Sequence, residues 1–190
     1  MLKNDYWIWE NVVDIEFCKF IINQADWTKA ESAKFAEFNK DKSLISYTGE
    51  DTGVRKTDIL FYNRFHPLSS MMTNYIAFAN IEAEWDYSIN YFQDCQLGRY
   101  EKGGHYGWHI DTAKPDKWKN QRKLTSVLLL NDSSEFSGGN LQIEGVKKDN
   151  LLVGAGSIIV FPSFLNHTVT PINSGVRYTA VSWAMGPSFR

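Results

Sequence analysis

The sequence has little cysteine, little proline and no long hydrophobic run. Its 190 residues include 2 cysteines and 5 prolines. Apolar runs such as Val127–Leu130 are only four residues long, whereas a membrane-spanning helix needs about 20. The opening stretch MLKNDYWIWENVV holds no apolar segment of signal-peptide length. We therefore expect no membrane partner and no secretory leader.

The two cysteines, Cys18 and Cys95, are too few for a disulfide framework and form no CxxC metal motif. We predict that both are buried free thiols in a reducing compartment. This expectation places the protein in the cytoplasm.

The charges are nearly balanced. There are 20 Lys and Arg against 22 Asp and Glu, which gives a net charge of −2. This balance argues against a strongly basic nucleic-acid binder. With 43% hydrophobic and 22% charged residues, the composition is typical of a globular enzyme or binding domain.

No repeat, low-complexity tract or linker divides the chain, so we predict one domain over residues 1–190. A helical support is expected over about 1–88. It contains a helix over 15–26 behind the N-cap candidate Asp14 and a second helix over 69–84. The polar segment between them, 40–56, is predicted to be a surface loop that acts as a substrate lid and includes one short strand, LISY.

From about residue 89 to 186, short apolar or alternating segments are separated by glycine turns. This pattern predicts about eight strands, which is typical of a sandwich or small barrel. With an earlier strand at 57–63, the predicted strands are 89–100, 106–111, 123–130, 140–144, 150–153, 157–161, 167–172 and 176–184.

Three residues suggest a metal site. On an extended strand, residues two apart share a face, so His109 and Asp111 can offer a nitrogen and an oxygen to one ion. His167, at the start of another predicted strand, is a candidate third ligand. Two imidazoles and one carboxylate form the facial triad of non-haem Fe(II) oxygenases. An isolated HxD tripeptide is common by chance, however, and a lone histidine is usually structural.

The predicted strand 176–184 would turn Arg177, Thr179 and Trp183 to one face. An unpaired buried guanidinium is costly, so a carboxylate should lie opposite Arg177. A protein Asp or Glu and a bound small anion both fit this requirement. Because Arg177 follows His167 by ten residues, we expect the two on adjacent strands of one hairpin.

Taken together, these motifs resemble the 2-oxoglutarate and Fe(II)-dependent dioxygenases, and in particular their prolyl-hydroxylase-like branch. The family pattern Tyr-x-x-Gly-x-x-Tyr-x-x-His-x-Asp is matched in register by Tyr100–Asp111. Further matches are Arg122–Asn131, ending in Leu-Asn, the turn around Gly138-Gly139, the segment Gly156–Ser163, and the His167 and Arg177 pair. The resemblance covers about residues 92–185.

This resemblance implies a double-stranded β-helix, the jelly-roll or cupin-like fold. It implies iron on His109, Asp111 and His167, and 2-oxoglutarate held by Arg177, Thr179 and Tyr100. Dioxygen would be the co-substrate, and ascorbate is a further candidate cofactor. The sequence departs from some prolyl hydroxylases at Leu128–Leu130, where those enzymes have a second co-substrate tyrosine.

The implied reaction is hydroxylation of an unactivated C–H bond, most readily in a prolyl or other residue of a peptide. A free amino acid or another small molecule is the alternative substrate. Tyr106, Trp183 and Arg55 are the candidate substrate-contacting residues, with core packing or solvation as the competing interpretation of each. His105 is a rival ligand or cleft residue, and His66 is expected in turn structure.

Two other functions remain open on the same fold. An AlkB-like nucleic-acid demethylase would need a basic groove, for which the sequence has no basic run. A non-catalytic jelly-roll binding module would have no need for a complete triad with an inward arginine.

Overall fold

The structure is a computed structural model that describes residues 2–32, 35–38, 44–48, 53–112 and 115–189, the second and third of these ranges as backbone. Much of the predicted lid, namely 40–43 and 49–52, lies outside the described residues.

The described residues form two α-helices, two short 3₁₀ helices and sixteen short strands. The helices are α1 Ile15–Gln24 and α2 Pro67–Glu82, with 3₁₀ turns at Trp27–Lys29 and Ser133–Glu135. The strands are β1 Trp7–Trp9, β2 Glu31–Ser32, β3 Phe35–Phe38, β4 Leu44–Thr48, β5 Arg55–Lys56, β6 Asp58–Tyr62, β7 Tyr91–Phe92, β8 Cys95–Tyr100, β9 His105–His109, β10 Asn120–Leu129, β11 Phe136–Gly138, β12 Leu141–Ile143, β13 Ile158–Pro162, β14 His167–Val169, β15 Ile172–Gly175 and β16 Arg177–Pro187.

Both predicted helices are present, and each begins at a residue that caps it. The Asp14 carboxylate accepts hydrogen bonds from the backbone N–H groups of Glu16 and Phe17 at 2.8 and 3.1 Å, which satisfies donors that a helix start leaves unpaired. In α2, Pro67 occupies the first turn and the His66 ring accepts from the Leu68 N–H. His66 is thus turn structure, as expected.

The strands form a larger and a smaller antiparallel sheet that enclose the functional cavity. In the larger sheet the order is β1-β13-β10-β16-β8-β6-β2, with β7 paired to β16. In the smaller sheet it is β12-β14-β9-β5, and the pairs β11-β15 and β3-β4 stand apart. The N-terminal region is therefore more than a helical support, because four of its strands, β1, β2, β5 and β6, extend these two sheets.

Alternation along the second half of β10 supplies two separate cores. Leu124 and Leu128 pack with α1 and α2 on the outer face of the larger sheet. Val127 and Leu129 belong to the cluster between the sheets, together with Phe161 of β13. The end of this strand is therefore apolar on both faces, which explains the hydrophobic run Val127–Leu130.

Two expectations about strands are wrong. Residues 150–153 form no strand; Leu151 and Leu152 are both buried, so the apolar segment packs as a loop. His167 and Arg177 do not share a hairpin either. β14 pairs with β9 and β12 in the smaller sheet, while β16 pairs with β8 and β10 in the larger one. The two residues therefore face each other across the cavity from different sheets.

Both cysteines are buried free thiols, as predicted. Burial raises the pKa of Cys18 to about 11 and that of Cys95 to about 12, so both stay protonated and unreactive at neutral pH. Neither α1 nor α2, nor any other helix in the described ranges, has the length and apolarity to cross a membrane.

Replacing Leu128 by alanine should lower the free energy of unfolding by about 2–5 kcal/mol, because the fully buried side chain leaves a cavity between the sheet and α2. Urea denaturation followed by circular dichroism measures the change. As a control, Phe78→Ala removes a side chain that is 58% exposed on α2 and should cost far less. Equal losses in the two variants would contradict this assignment of the core.

Candidate active site

His109, Asp111 and His167 meet at one end of the cavity between the sheets. Their ligand atoms all lie within 4.8 Å of one another. The two histidines are register partners on the paired strands β9 and β14. Asp111 lies two residues beyond the end of β9, where its N–H is held by the Ser163 carbonyl at 2.8 Å. The predicted three-residue set is therefore assembled, although β9 ends before Asp111.

Local hydrogen bonds fix both imidazoles. Nδ1 of His109 lies 2.7 Å from the Gly107 carbonyl oxygen, and Nδ1 of His167 lies 2.9 Å from that of Leu165. Since a carbonyl oxygen only accepts, each Nδ1 must donate, which leaves the Nε2 lone pair free. Both Nε2 atoms point to Asp111, at 3.7 and 3.6 Å from its two carboxylate oxygens.

The electrostatics of this cluster suit metal binding. Burial, with a contribution from His167, lowers the pKa of His109 to about 4, so its imidazole is neutral at pH 7. Burial alone would raise the pKa of Asp111, but His167, Arg122 and His109 outweigh it and lower that pKa overall. A charged carboxylate and a neutral His109 imidazole are the protonation states in which these two residues can bind a metal.

Asp111 is oriented by two donors from the larger sheet. Its Oδ2 accepts from the Thr125 hydroxyl at 2.8 Å and from the Trp183 indole N–H at 2.9 Å. Thr125 and Trp183 are cross-strand neighbours on β10 and β16, and Ser163 contacts the Thr125 hydroxyl at 2.9 Å. Oδ1 is left for a ligand. These supports fix the carboxylate as metal sites generally require.

The cavity, about 290 Å³ in volume, runs from the triad to Arg177. Arg177 is 1% exposed, and among the described residues its Nε and Nη2 have no hydrogen-bond partner. Burial lowers its pKa to about 10, so it remains charged at pH 7. No carboxylate of the described residues pairs with it, which favours the bound-anion interpretation over the structural ion pair.

Thr179 and Tyr100 lie beside Arg177, as the resemblance implies. Tyr100 is the register partner of Arg177, and its ring lies 5.5 Å from the guanidinium carbon. Gly98 is the register partner of Thr179. A Cβ atom on Gly98 would lie 3.0 Å from the Thr179 hydroxyl and 3.3 Å from the Tyr100 ring. The missing side chain keeps the space beside the arginine open.

The three candidate substrate residues all line the cavity. The Tyr106 ring stacks on His109 at 3.4 Å, and the Arg55 guanidinium lies 4.4 Å over that ring. Trp183, considered as a substrate contact, also has the role of holding Asp111. Trp108 is 53% exposed and does not line the cavity.

The rival ligand His105 lies outside the triad. Its ring nitrogens contact the carbonyl oxygens of Gly103 and Gly53 instead. Sequence reasoning missed the supporting residues Thr125 and Ser163 and the charged neighbour Arg122. The alternation of β10 was the available signal, because it places the polar Thr125 on the same inward face as Val127 and Leu129.

The donor set fits a single Fe(II) ion. Two imidazole nitrogens and one carboxylate oxygen on one side form the facial triad that leaves further positions open. The partnerless guanidinium in the same cavity fits a small dicarboxylate such as 2-oxoglutarate.

Comparisons with known proteins agree with this geometry. Residues 95–185 match the family model of the 2OG-Fe(II) oxygenase superfamily. A PKHD-type hydroxylase of Synechococcus sp. CC9902 is 41% identical over 90 residues, covering 46% of this chain and 39% of the relative. A PKHD-type hydroxylase of Pseudomonas putida W619 is 34% identical over 89 residues, covering 44% of this chain and 39% of the relative. The chain thus matches about two fifths of the length of these curated relatives.

Solved structures share the fold over nearly the whole chain. The viral collagen prolyl hydroxylase of Paramecium bursaria Chlorella virus-1 has a TM-score of 0.71 at 18% identity, and the superposition covers 96% of this chain and 97% of the viral chain. A Pseudomonas putida prolyl-4-hydroxylase has a TM-score of 0.67 at 18% identity, covering 95% and 91%. The expected mainly β jelly-roll fold with N-terminal helices is confirmed.

Alanine at His109, Asp111 or His167 should abolish stoichiometric Fe(II) or Mn(II) binding, because each removes one of three ligands. Metal content after anaerobic loading, measured by mass spectrometry, tests this. His105→Ala is the matched control on the same strand and should retain one ion per chain. If a His109→Ala/His167→Ala double variant keeps its metal, the triad is wrong.

Trp183→Phe should weaken metal affinity by about 10- to 100-fold, since it removes one of the two donors that orient Asp111. Metal titration measures the change, and unfolding curves should show that the fold persists. Trp108→Phe alters an exposed indole outside the cavity and should leave the affinity as it is. An unchanged affinity in Trp183→Phe would show that Thr125 alone orients the carboxylate.

Proposed function

We propose that the protein is a 2OG-Fe(II) oxygenase of the prolyl-hydroxylase-like type and that it hydroxylates an unactivated C–H bond. The substrate we propose is a prolyl or other residue of a peptide. The observation that carries the proposal is the buried, partnerless Arg177 in the same cavity as the triad of His109, Asp111 and His167.

Each part of the site has a distinct task. His109, Asp111 and His167 would hold Fe(II), which together with 2-oxoglutarate and dioxygen supplies the oxidation of a C–H bond with release of succinate and CO₂. Arg177 would bind the distal carboxylate of 2-oxoglutarate through its free N–H groups. The Thr179 hydroxyl, next to Gly98, would donate to the same carboxylate.

The chain also controls orientation and water. The Gly107 and Leu165 carbonyls keep both imidazoles in one tautomer, and Thr125 with Trp183 holds the carboxylate. Apolar side chains from both sheets line the cavity and exclude water, which protects a reactive centre from side reactions. These walls are Val127, Leu141, Val169 and Val181.

Two proposals concern organisation and location. The first 62 residues contribute strands to both sheets, which supports one oxygenase domain over the chain. Cys18 and Cys95 remain unpaired thiols, which supports a reducing location such as the cytoplasm.

Arg177→Ala should weaken the apparent affinity for 2-oxoglutarate by about 10- to 150-fold, because it removes a charge-assisted hydrogen-bonding contact. The variant should still bind the metal. Arg177→Lys keeps the charge but loses the planar fork and should fall between wild type and alanine. The measurement is the rise in melting temperature of Mn(II)-loaded protein against 2-oxoglutarate concentration. Wild type with Fe(II) should release succinate.

A structural ion pair predicts the opposite pattern. Arg177→Ala would then lose much stability without ligand, and the 2-oxoglutarate titration of the folded remainder would match wild type. That outcome, or a wild-type melting temperature that 2-oxoglutarate does not raise, contradicts the proposed function.

A further inference from the structure

The cavity carries more positive charge than the proposed cofactors need. Among its described lining residues are three arginines, Arg55, Arg122 and Arg177, and one carboxylate, Asp111. If the proposed function holds, Fe(II), Asp111, Arg177 and the doubly charged 2-oxoglutarate sum to zero. Arg55 and Arg122 then remain without compensating charge.

Arg55 lies on the smaller-sheet side of the cavity. It is paired in register with Tyr106, and its guanidinium lies over the Tyr106 ring, which in turn stacks on His109. Its Nε is buried and has no hydrogen-bond partner in the part of the chain that the structure describes. A buried donor without a partner is costly, so this geometry suits a group that arrives from outside.

Arg122 faces the cavity from the larger sheet. Its Nε donates to the Gln93 side chain at 2.7 Å, and its guanidinium lies 3.8 Å over the Trp183 ring. Its Nη1 is 4.0 Å from Asp111 Oδ1, which is beyond hydrogen-bond distance. The guanidinium is therefore rigidly held, but its terminal donors are not used up by Asp111.

The two guanidinium groups interact unfavourably with each other. Burial lowers the pKa of Arg122, Asp111 opposes that effect, and Arg55 adds to it. Two like charges on opposite walls of a partly desolvated cavity repel, and an anion placed between them turns the repulsion into attraction.

We propose that the substrate carries a carboxylate close to the carbon that is hydroxylated, and that Arg55 and Arg122 bind this carboxylate from opposite sheets. The inference rests on the proposed function and names its substrate class. An acidic residue beside the target residue of a peptide and the carboxyl group of a small acid present the same chemistry, and the test distinguishes them.

The test uses acid and amide pairs of otherwise identical probes. The peptide arms are acetyl-Glu-Pro-Gly-amide against its Gln counterpart, and acetyl-Gly-Pro-Glu-amide against its Gln counterpart. The small-molecule arm is L-proline against L-prolinamide. Binding is read as the melting shift of protein loaded with Mn(II) and 2-oxoglutarate, and turnover of the Fe(II) form as a mass gain of one oxygen in the probe.

In wild type, the acid of at least one pair should bind about 10- to 100-fold more tightly than its amide, as expected for one charge-assisted contact. Which pair responds identifies a peptide or a small acid as the source. Arg55→Gln and Arg122→Gln should each reduce this preference to a few-fold, and Arg55→Lys should restore part of it.

Lys56→Gln is the matched control, because it removes one positive charge from the exposed neighbour of Arg55 and should leave the preference intact. Metal content of Arg122→Gln checks that Asp111 still ligates. The proposal is overturned if acid and amide bind equally in every pair, or if no probe binds at all. It is also overturned if the preference for the acid survives in both Arg55→Gln and Arg122→Gln. In all these cases, the 2-oxoglutarate melting shift and succinate release of wild type still report separately on the proposed function.

Discussion

The buried carboxylate of Asp111 is the constraint on which the rest of the site depends. A charge that is 9% exposed between two sheets must be compensated, or it would destabilise the fold. Here the compensation comes from the hydroxyl and indole donors of the larger sheet, while the imidazoles of the smaller sheet face the carboxylate with nitrogen lone pairs that would share a cation with it. The same contacts that make the charge tolerable also fix the spacing of the sheets where the cavity lies.

The spacing between the sheets constrains which residue types can occupy the two faces of β10 and β16. Each must be apolar outward, to pack on the helices, and selectively polar inward. On β16 the inward face presents Arg177, Thr179 and Trp183 within the cavity, while Ala180 and Ala184 pack outward. Small outward residues let α2 approach the sheet closely, and the inward residues are then free to serve the site.

Much of this could be predicted from the sequence, because the informative residues lie on regular strands. Period-two alternation identified the inward face of β16, and the HxD spacing with His167 identified the triad. The sheet assignment of β14 could not be predicted, since proximity along the chain favours a hairpin that long-range pairing with β9 overrides. Arg122 was missed for a similar reason: a register shift between Arg122 and Leu124 breaks the alternation that would have placed it.

The two ligating histidines each donate to the carbonyl two residues earlier in the chain. The neighbouring backbone therefore fixes the tautomer of each imidazole, which does not depend on a distant side chain. The walls of the cavity, by contrast, come from many separate strands. In such an arrangement a substitution in a cavity wall, at Leu141 or Val181 for instance, changes the space offered to a bound molecule without altering the tautomer of either ligand.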